Sequence, residues 1–229
     1  MSGLLFIISA PSGSGKSTLV NELLRIVPGL EFSISYTTRA PRGSERHETE
    51  YFFVDRAEFE RMIAGDKFLE YAEVFGNYYG TARHFLDDAR ERGNDLILDI
   101  DVQGAAQVKQ RKPDAASIFI LPPDRRTLEK RLRNRAQDKE EVIQRRLAEA
   151  RGEIENYRGY DYILVNDRLE ESTEALQAIV AAERLKRAQV RDAVANPGAE
   201  AWVAAAKSSL RDNMDGRVQS ILASFAEPR

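Results

Sequence analysis

Three signals follow one another without interruption between Leu4 and Ile26: an apolar run, a turn rich in glycine and serine, and a helical pattern. Leu4–Ser9 is almost wholly apolar, which suits a strand buried in a parallel sheet. Lys16–Ile26 carries Leu19, Leu23 and Ile26 at helical spacing and stops at Pro28-Gly29. Between them stands Ser9-Ala10-Pro11-Ser12-Gly13-Ser14-Gly15-Lys16-Ser17-Thr18. The glycines let the backbone curl so that several N–H groups face one anion. The helix N-terminus adds its dipole. Lys16 supplies mobile positive charge for phosphates, and the Ser17 hydroxyl can ligate Mg²⁺. A strand before and a helix after are what separate a phosphate-binding P-loop from an incidental glycine-rich turn. Ala10 stands where the simple pattern has its first glycine. The motif implies a nucleoside triphosphate, and by itself does not distinguish a kinase from a GTPase or a motor.

The rest of the chain repeats the strand–helix rhythm. Asp95–Ile100, Ser117–Leu121 and Tyr162–Val165 read as further buried strands. Arg126–Ala136, Glu140–Tyr157 and Glu171–Ala193 read as helices, and a shorter one covers Arg83–Arg92. This predicts an α/β fold, a parallel sheet flanked by helices. Residues 33–90 break the rhythm. Phe32–Ala40 and Glu50–Asp55 read as strands of a small separate sheet and Arg56–Ala64 as a helix; the segment Phe68–Phe75 follows, and Asn77–Gly80 reads as a turn. An inserted mixed α/β lobe is expected there. From Asn196-Pro197 to Phe225, apolar residues recur at steps of about three and four, an amphipathic helix weakened at Gly216. It either packs on its own core or offers a homo-oligomer surface.

Composition removes several classes of chemistry. The 229 residues contain no cysteine and two histidines, His47 and His84, so thiolate sites and a multi-histidine zinc site are excluded. The net charge of -3, with acids and bases interleaved, argues against a nucleic-acid or membrane-surface partner. No run reaches membrane-spanning length, and Met1–Ile8 lacks the basic start of a signal peptide, so a cytoplasmic location is expected.

A second cluster narrows the chemistry. Arg39 and Arg42 lie three residues apart, and two guanidinium forks grip one phosphate better than a point charge does. Glu70, Asp99 and Asp101 are acids in or beside apolar runs. Asp99 and Asp101 share one strand face near its C-terminal end, where ligands sit in such sheets. With Ala10–Ser17, Ser35-Tyr-Thr-Thr-Arg-Ala-Pro-Arg42, Glu45, Tyr51-Phe-Phe, Phe75-Gly-Asn-Tyr-Tyr-Gly-Thr81, Leu98-Asp-Ile-Asp-Val-Gln-Gly104 and Val165-Asn-Asp167 in order, residues 4 to 187 resemble the guanylate kinase family. One departure is local: the family's usual glycine between Glu45 and Tyr51 is absent, and Arg46-His-Glu-Thr-Glu50 stands there.

The resemblance implies an ATP:GMP phosphotransferase, with Mg²⁺ as cofactor and ADP and GDP as products. ATP would be bound by residues 10–18 with Arg131 and Asn166. Arg39, Arg42, Tyr51 and Tyr79 would hold the GMP phosphate with Glu45 alongside, and Glu70 and Asp101 would read guanine beside Ser35 and Thr81. The expected catalytic charges are Lys16, Arg39, Arg135 and Arg146. Asp99 either helps hold Mg²⁺ through water or is a buried hydrogen-bonded acid. In domain terms the resemblance implies an ATP-binding core over 1–32 and 91–187, a lid over about 124–157, a GMP-binding lobe over 33–90 and a helical extension over 188–229. Two rivals stand beside it: a catalytically silent relative that binds a phosphorylated partner, and a P-loop kinase with another acceptor. The retained Lys16 and lid arginines argue against the first, and Glu70, Asp101, Ser35 and Thr81 against the second.

Overall fold

The computed structural model describes residues 3–74, 76–134, 140–188 and 198–226. In chain order the elements are β1 (Leu5–Ser9), α1 (Lys16–Ile26), β2 (Leu30–Phe32), β3 (Tyr36–Thr37), β4 (Phe52–Phe53), α2 (Arg56–Ala64), β5 (Phe68–Val74), β6 (Asn77–Ala82), α3 (His84–Glu91), β7 (Asp95–Asp99), α4 (Val102–Arg111), β8 (Ala116–Leu121), α5 (Arg125–Asn134), α6 (Glu140–Ile154), a 3₁₀ turn (Glu155–Gly159), β9 (Tyr162–Val165), α7 (Leu169–Arg187), α8 (Ala199–Ser208) and α9 (Arg211–Ala226). One sheet has the strand order β2-β7-β1-β8-β9, and a second has the order β4-β3-β6-β5. By contacts the chain forms two compact units, residues 1–7 with 29–115, and residues 8–28 with 116–229.

In the first unit, β2 and β7 pair in parallel, with Leu30 opposite Asp95 and Phe32 opposite Ile97. Asp95 also accepts from the Leu4 amide at 2.6 Å, tying the start of β1 to this pair. The small sheet is built on β6, which runs antiparallel to both β3 and β5. Its apolar face gathers Phe59, Phe68 and Ala82, with Tyr36, Tyr71 and Phe85 packed around them. α2 begins at Asp55, whose carboxylate accepts from the Glu58 amide at 2.7 Å and satisfies one otherwise orphan N–H.

In the second unit, β8 and β9 pair in parallel from Ile118–Tyr162 to Leu121–Val165. All six residues of β8 are buried, which explains its unbroken apolar sequence. Leu128 and Leu132 of α5 cluster with Ile143, Leu147 and Ala150 of α6, and Phe225 of α9 packs against them. Val218 and Ile221 are buried as well, so part of the apolar side of the C-terminal segment packs on the chain's own core, while Val203, Leu210, Met214 and Leu222 are half-buried.

Four expectations are corrected. Asn77–Gly80 is not a turn but part of β6, because each of its residues finds a partner in β5 or β3. Phe32 ends a strand of the parallel sheet, and only Tyr36–Thr37 of the expected Phe32–Ala40 strand joins the small sheet. α4 was not foreseen: Gly104 and small or polar residues dilute its helical pattern. The C-terminal segment forms two helices that part at Ser209-Leu210 rather than weakening at Gly216, which lies inside α9. A Tyr162–Leu210 bridge, with the Ile163 amide donating to the Ser209 carbonyl at 2.8 Å, pins that break to β9. Asn196 and Pro197 lie outside the described residues.

Candidate functional site

Two constellations stand out, one in each unit. The first is the turn after β1. Gly13 and Gly15 have φ of 93° and 89°, a region open to glycine and strained for other residues. Both are also closely packed. A Cβ on Gly15 would come within 2.3 Å of the Asn166 amide nitrogen, and one on Gly13 within 2.9 Å of Leu132. The Asn166 side chain, itself buried, donates to the Ser14 carbonyl at 2.7 Å. Arg131 donates to the Asn166 carbonyl at 2.9 Å and to the Ser14 carbonyl at 3.4 Å. α5 and the loop after β9 therefore brace the same carbonyl from outside the turn.

α1 starts at Gly15 with no side-chain cap and no acid in its first turn, so its N-terminal dipole is not offset. Ser12, Ser17 and Thr18 are exposed, Ala10 and Lys16 half-buried, and Pro11 and Ser14 buried. The Ser14 hydroxyl has no hydrogen-bond partner. Of the remaining basic residues assigned to this region, Arg146 is half-buried on α6, and Arg135 lies outside the described residues. Part of the arginine run is ordinary helix-surface pairing: Arg125 and Arg133 both meet Glu129, and Arg145 meets Glu149, each at i,i+4 spacing.

The second constellation is a cavity of about 230 Å³ lined by Ser35, Tyr51, Glu70, Ala72, Val74, Tyr79, Asp99, Ile100 and Asp101. Glu70 is 4% exposed, and its Oε1 accepts from the Thr81 hydroxyl at 2.7 Å. Burial raises its pKa to about 7, with the nearby Asp101 charge adding to the rise and the Thr81 hydrogen bond and Arg111 opposing it. Gly104 stands against the same carboxylate: a Cβ there would meet Glu70 Oε2 at 2.7 Å. Asp101 is exposed and caps α4, its Oδ1 accepting from the Gly104 amide at 2.8 Å. Asp99 is half-buried at the end of β7.

Arg39 is 9% exposed and forms a two-pronged pair with Glu45, at 3.0 and 2.9 Å. Its guanidinium lies 5.3 Å from the centre of the Tyr51 ring, and the Tyr51 and Tyr79 rings are 6.0 Å apart. Burial pushes the Tyr51 hydroxyl up from its ordinary value. Glu45 is held below the usual carboxylate range by Arg39, and then by the Arg42 amide, which donates to it at 2.8 Å. The expected fork of two guanidiniums is thus uneven: Arg39 is pre-set, whereas the Arg42 side chain is exposed and its main chain makes the contact. Glu48, in the turn that lacks the family's glycine, has φ of 63°.

The sequence offers Gly104 only as the end of a family motif, with no role attached, and gives no sign of Gln107 and Arg111, all on α4, because a glycine, an amide and a basic residue in an undetected helix carry no local signal. Asp101 followed by a helix start was a legible N-cap.

A family model described as guanylate kinase matches residues 2–183. A guanylate kinase of Koribacter versatilis is 60% identical over 230 residues, covering 99% of this chain and 97% of that protein. The guanylate kinase of Geobacter sulfurreducens is 51% identical over 192 residues, covering 84% and 95%. The crystal structure of guanylate kinase from Anaplasma phagocytophilum has a TM-score of 0.65 at 37% identity, covering 80% of this chain and 87% of that one. With matches of this extent running through both constellations, the chain belongs to the guanylate kinase family.

Proposed function

We propose that this protein is a guanylate kinase that reversibly transfers the terminal phosphoryl group of ATP to GMP or dGMP, giving ADP and the nucleoside diphosphate. The observation that selects guanine is Glu70, a buried carboxyl held by Thr81 on a cavity it shares with Asp101 and Ser35. Guanine offers N1–H and N2–H₂ donors, and an ionised carboxylate is a pure acceptor. Adenine lacks those donors on that edge and would leave the buried acid unpaired, at a cost of roughly 1–3 kcal/mol. The Ser35 hydroxyl is free to donate toward guanine O6, while the one Thr81 hydroxyl proton goes to Glu70 Oε1 and holds that carboxylate.

Arg39, held by Glu45 and backed by Tyr51, takes the GMP phosphate with Tyr79, and the exposed Arg42 folds onto it when the nucleotide arrives. Residues 10–18 cradle the ATP phosphates through backbone amides and the Lys16 ammonium, in a loop braced by Asn166 and Arg131. Arg146 and Arg135 neutralise charge on the phosphoryl group in flight. Phosphoryl transfer is chiefly positioning and charge stabilisation, so a general base has little to add. The acceptor phosphate, with a second pKa near ~6, is already largely dianionic at neutral pH. Water is the competing acceptor. Closure of the 33–90 lobe and the 124–157 lid on the nucleotides is the step that shuts it out.

Among the described residues, no group of three or more His, Asp or Glu could hold a metal. The oxygen donors proposed are Ser17 and, through water, Asp99. That sparse set fits Mg²⁺, which keeps much of its water and arrives on phosphates. When bound it would draw charge from the phosphate oxygens. Among the described residues no helix is long and apolar enough to cross a membrane, and we place the protein in the cytoplasm, where both nucleotides are at hand.

The test is a coupled ADP-release assay with ATP and each of GMP, dGMP, AMP and UMP. Turnover confined to GMP and dGMP is expected. Equal turnover of AMP, or near wild-type rates in Lys16→Met or Arg146→Ala, would overturn the reading.

A further inference from the structure

The strand that carries Glu70 is irregular just before that residue, and one face of α4 meets the strand on both sides of it. In β5, Phe68 pairs with Ala82 and Glu70 with Thr81, so Leu69 is an extra residue, a β-bulge. Side chains alternate along a strand. A regular β5 would therefore point Glu70 the same way as Phe68, into the cluster of Phe59, Phe68 and Ala82. The bulge turns it to the other face, where Glu70, Ala72 and Val74 line the cavity. A bulge leaves backbone groups outside the ladder that need partners. Arg111 Nη1 donates to the Phe68 carbonyl at 2.7 Å and to the Leu69 carbonyl at 3.0 Å, and Arg83 Nε joins at Phe68 at 3.0 Å. Directly after Glu70, the Gln107 amide accepts from Tyr71 N at 3.3 Å and donates to Tyr71 O at 2.9 Å. Gly104 fills the remaining place, against Glu70 Oε2. Residues 104, 107 and 111 recur at steps of three and four, which puts them on one side of the helix.

We propose that this face of α4 is a positioning device for guanine selection: Arg111 and Gln107 hold the bulge that aims Glu70 into the cavity, and Gly104 leaves its carboxylate room to lie there. The inference rests on the guanylate kinase reading and adds to it residues that need not touch the nucleotide. Arg111 also acts at a distance. The charged and titratable groups around Glu70 are Asp101, which raises its pKa, and Arg111, which lowers it, with Asp99, Tyr51 and Tyr79 on the cavity wall. Loss of Arg111 moves Glu70 further up.

The experiment measures KM for GMP and for ATP across pH 6 to 8.5 in wild type, Arg111→Met, Arg111→Lys and Gly104→Ala. For Arg111→Met, KM for GMP rises about tenfold, KM for ATP stays within about twofold, and the pH at which GMP affinity falls off moves up. Arg111→Lys restores the pH profile, because it keeps the charge, and recovers only part of KM, because one ammonium replaces a planar fork. Should Arg111→Met fail to fold by circular dichroism, Gly104→Ala carries the test. Alanine favours a helix over glycine, so a tenfold rise in KM for GMP with helicity intact comes from crowding Glu70. An unchanged KM for GMP in either folded variant overturns the proposal. A wild type that turns over ATP only with acceptors other than GMP defeats the parent reading instead, and the two failures are told apart in one data set.

Discussion

GMP affinity is expected to depend on pH through Glu70. Its pKa of about 7 leaves it largely protonated in mildly acidic solution, and a protonated carboxyl can no longer accept from both guanine donors. A group with that pKa is about nine-tenths ionised at pH 8 and about one-tenth at pH 6, so binding to the ionised form weakens about tenfold between them, or about 1.4 kcal/mol. The GMP phosphate, with its second pKa near ~6, contributes a further factor of about two in the same direction. The wild type should therefore lose roughly twentyfold in GMP affinity, and Glu70→Gln, which keeps only the phosphate's dependence, about twofold. Isothermal calorimetry gives the affinities directly. Run at pH 7 in buffers of different ionisation enthalpy, it should also report release of about half a proton per GMP bound to the wild type. A wild-type change of twofold or less, or no proton release at pH 7, would refute the role given to the buried carboxyl.

The same burial predicts an apo protein destabilised by its own site. The pKa of Glu70 rises from an ordinary 4.5 to about 7, so the folded state binds the proton more tightly, and stability is fullest below 4.5 and falls as pH rises to 7. The loss amounts to about 3 kcal/mol, and urea unfolding should show Glu70→Gln gaining on the wild type by that order between pH 5 and 8; parallel curves would contradict it. Gly15→Ala should cost about 2 kcal/mol or more and abolish ATP-dependent turnover, since it combines φ of 89° with a 2.3 Å clash on Asn166, and thermal melts with and without ATP would reveal it. Glu48→Gly should stabilise the fold by roughly 0.5–1 kcal/mol by relieving φ of 63°, a gain that a lower urea midpoint would disprove.

Much of this protein is written locally. The strand, glycine turn and helix at residues 5–26 are legible because strand burial, positive φ at Gly13 and Gly15, and helical spacing are each properties of a few consecutive residues. The buried strands β7, β8 and β9 announce themselves by apolar runs, and the identities of Lys16 and of the pair Arg39 and Arg42 are enough to suggest two anionic ligands. Only the tertiary structure decides how those groups are set. Glu70, the proposed guanine reader, has a pKa near neutrality because the fold buries it and sets Asp101 near it; Thr81, eleven positions on, holds its carboxylate against that rise, and Gly104, in a helix the pattern did not reveal, stands against it. The Leu69 bulge that points it inward, the Asn166 amide that holds Ser14, and the exposure of Arg42 beside a pinned Arg39 likewise depend on partners far away in the chain. Periodicity encodes which way a residue faces within its own element. Desolvation, charge pairing and clearance are set by what the fold brings against that face, and a single sequence does not spell out those neighbours.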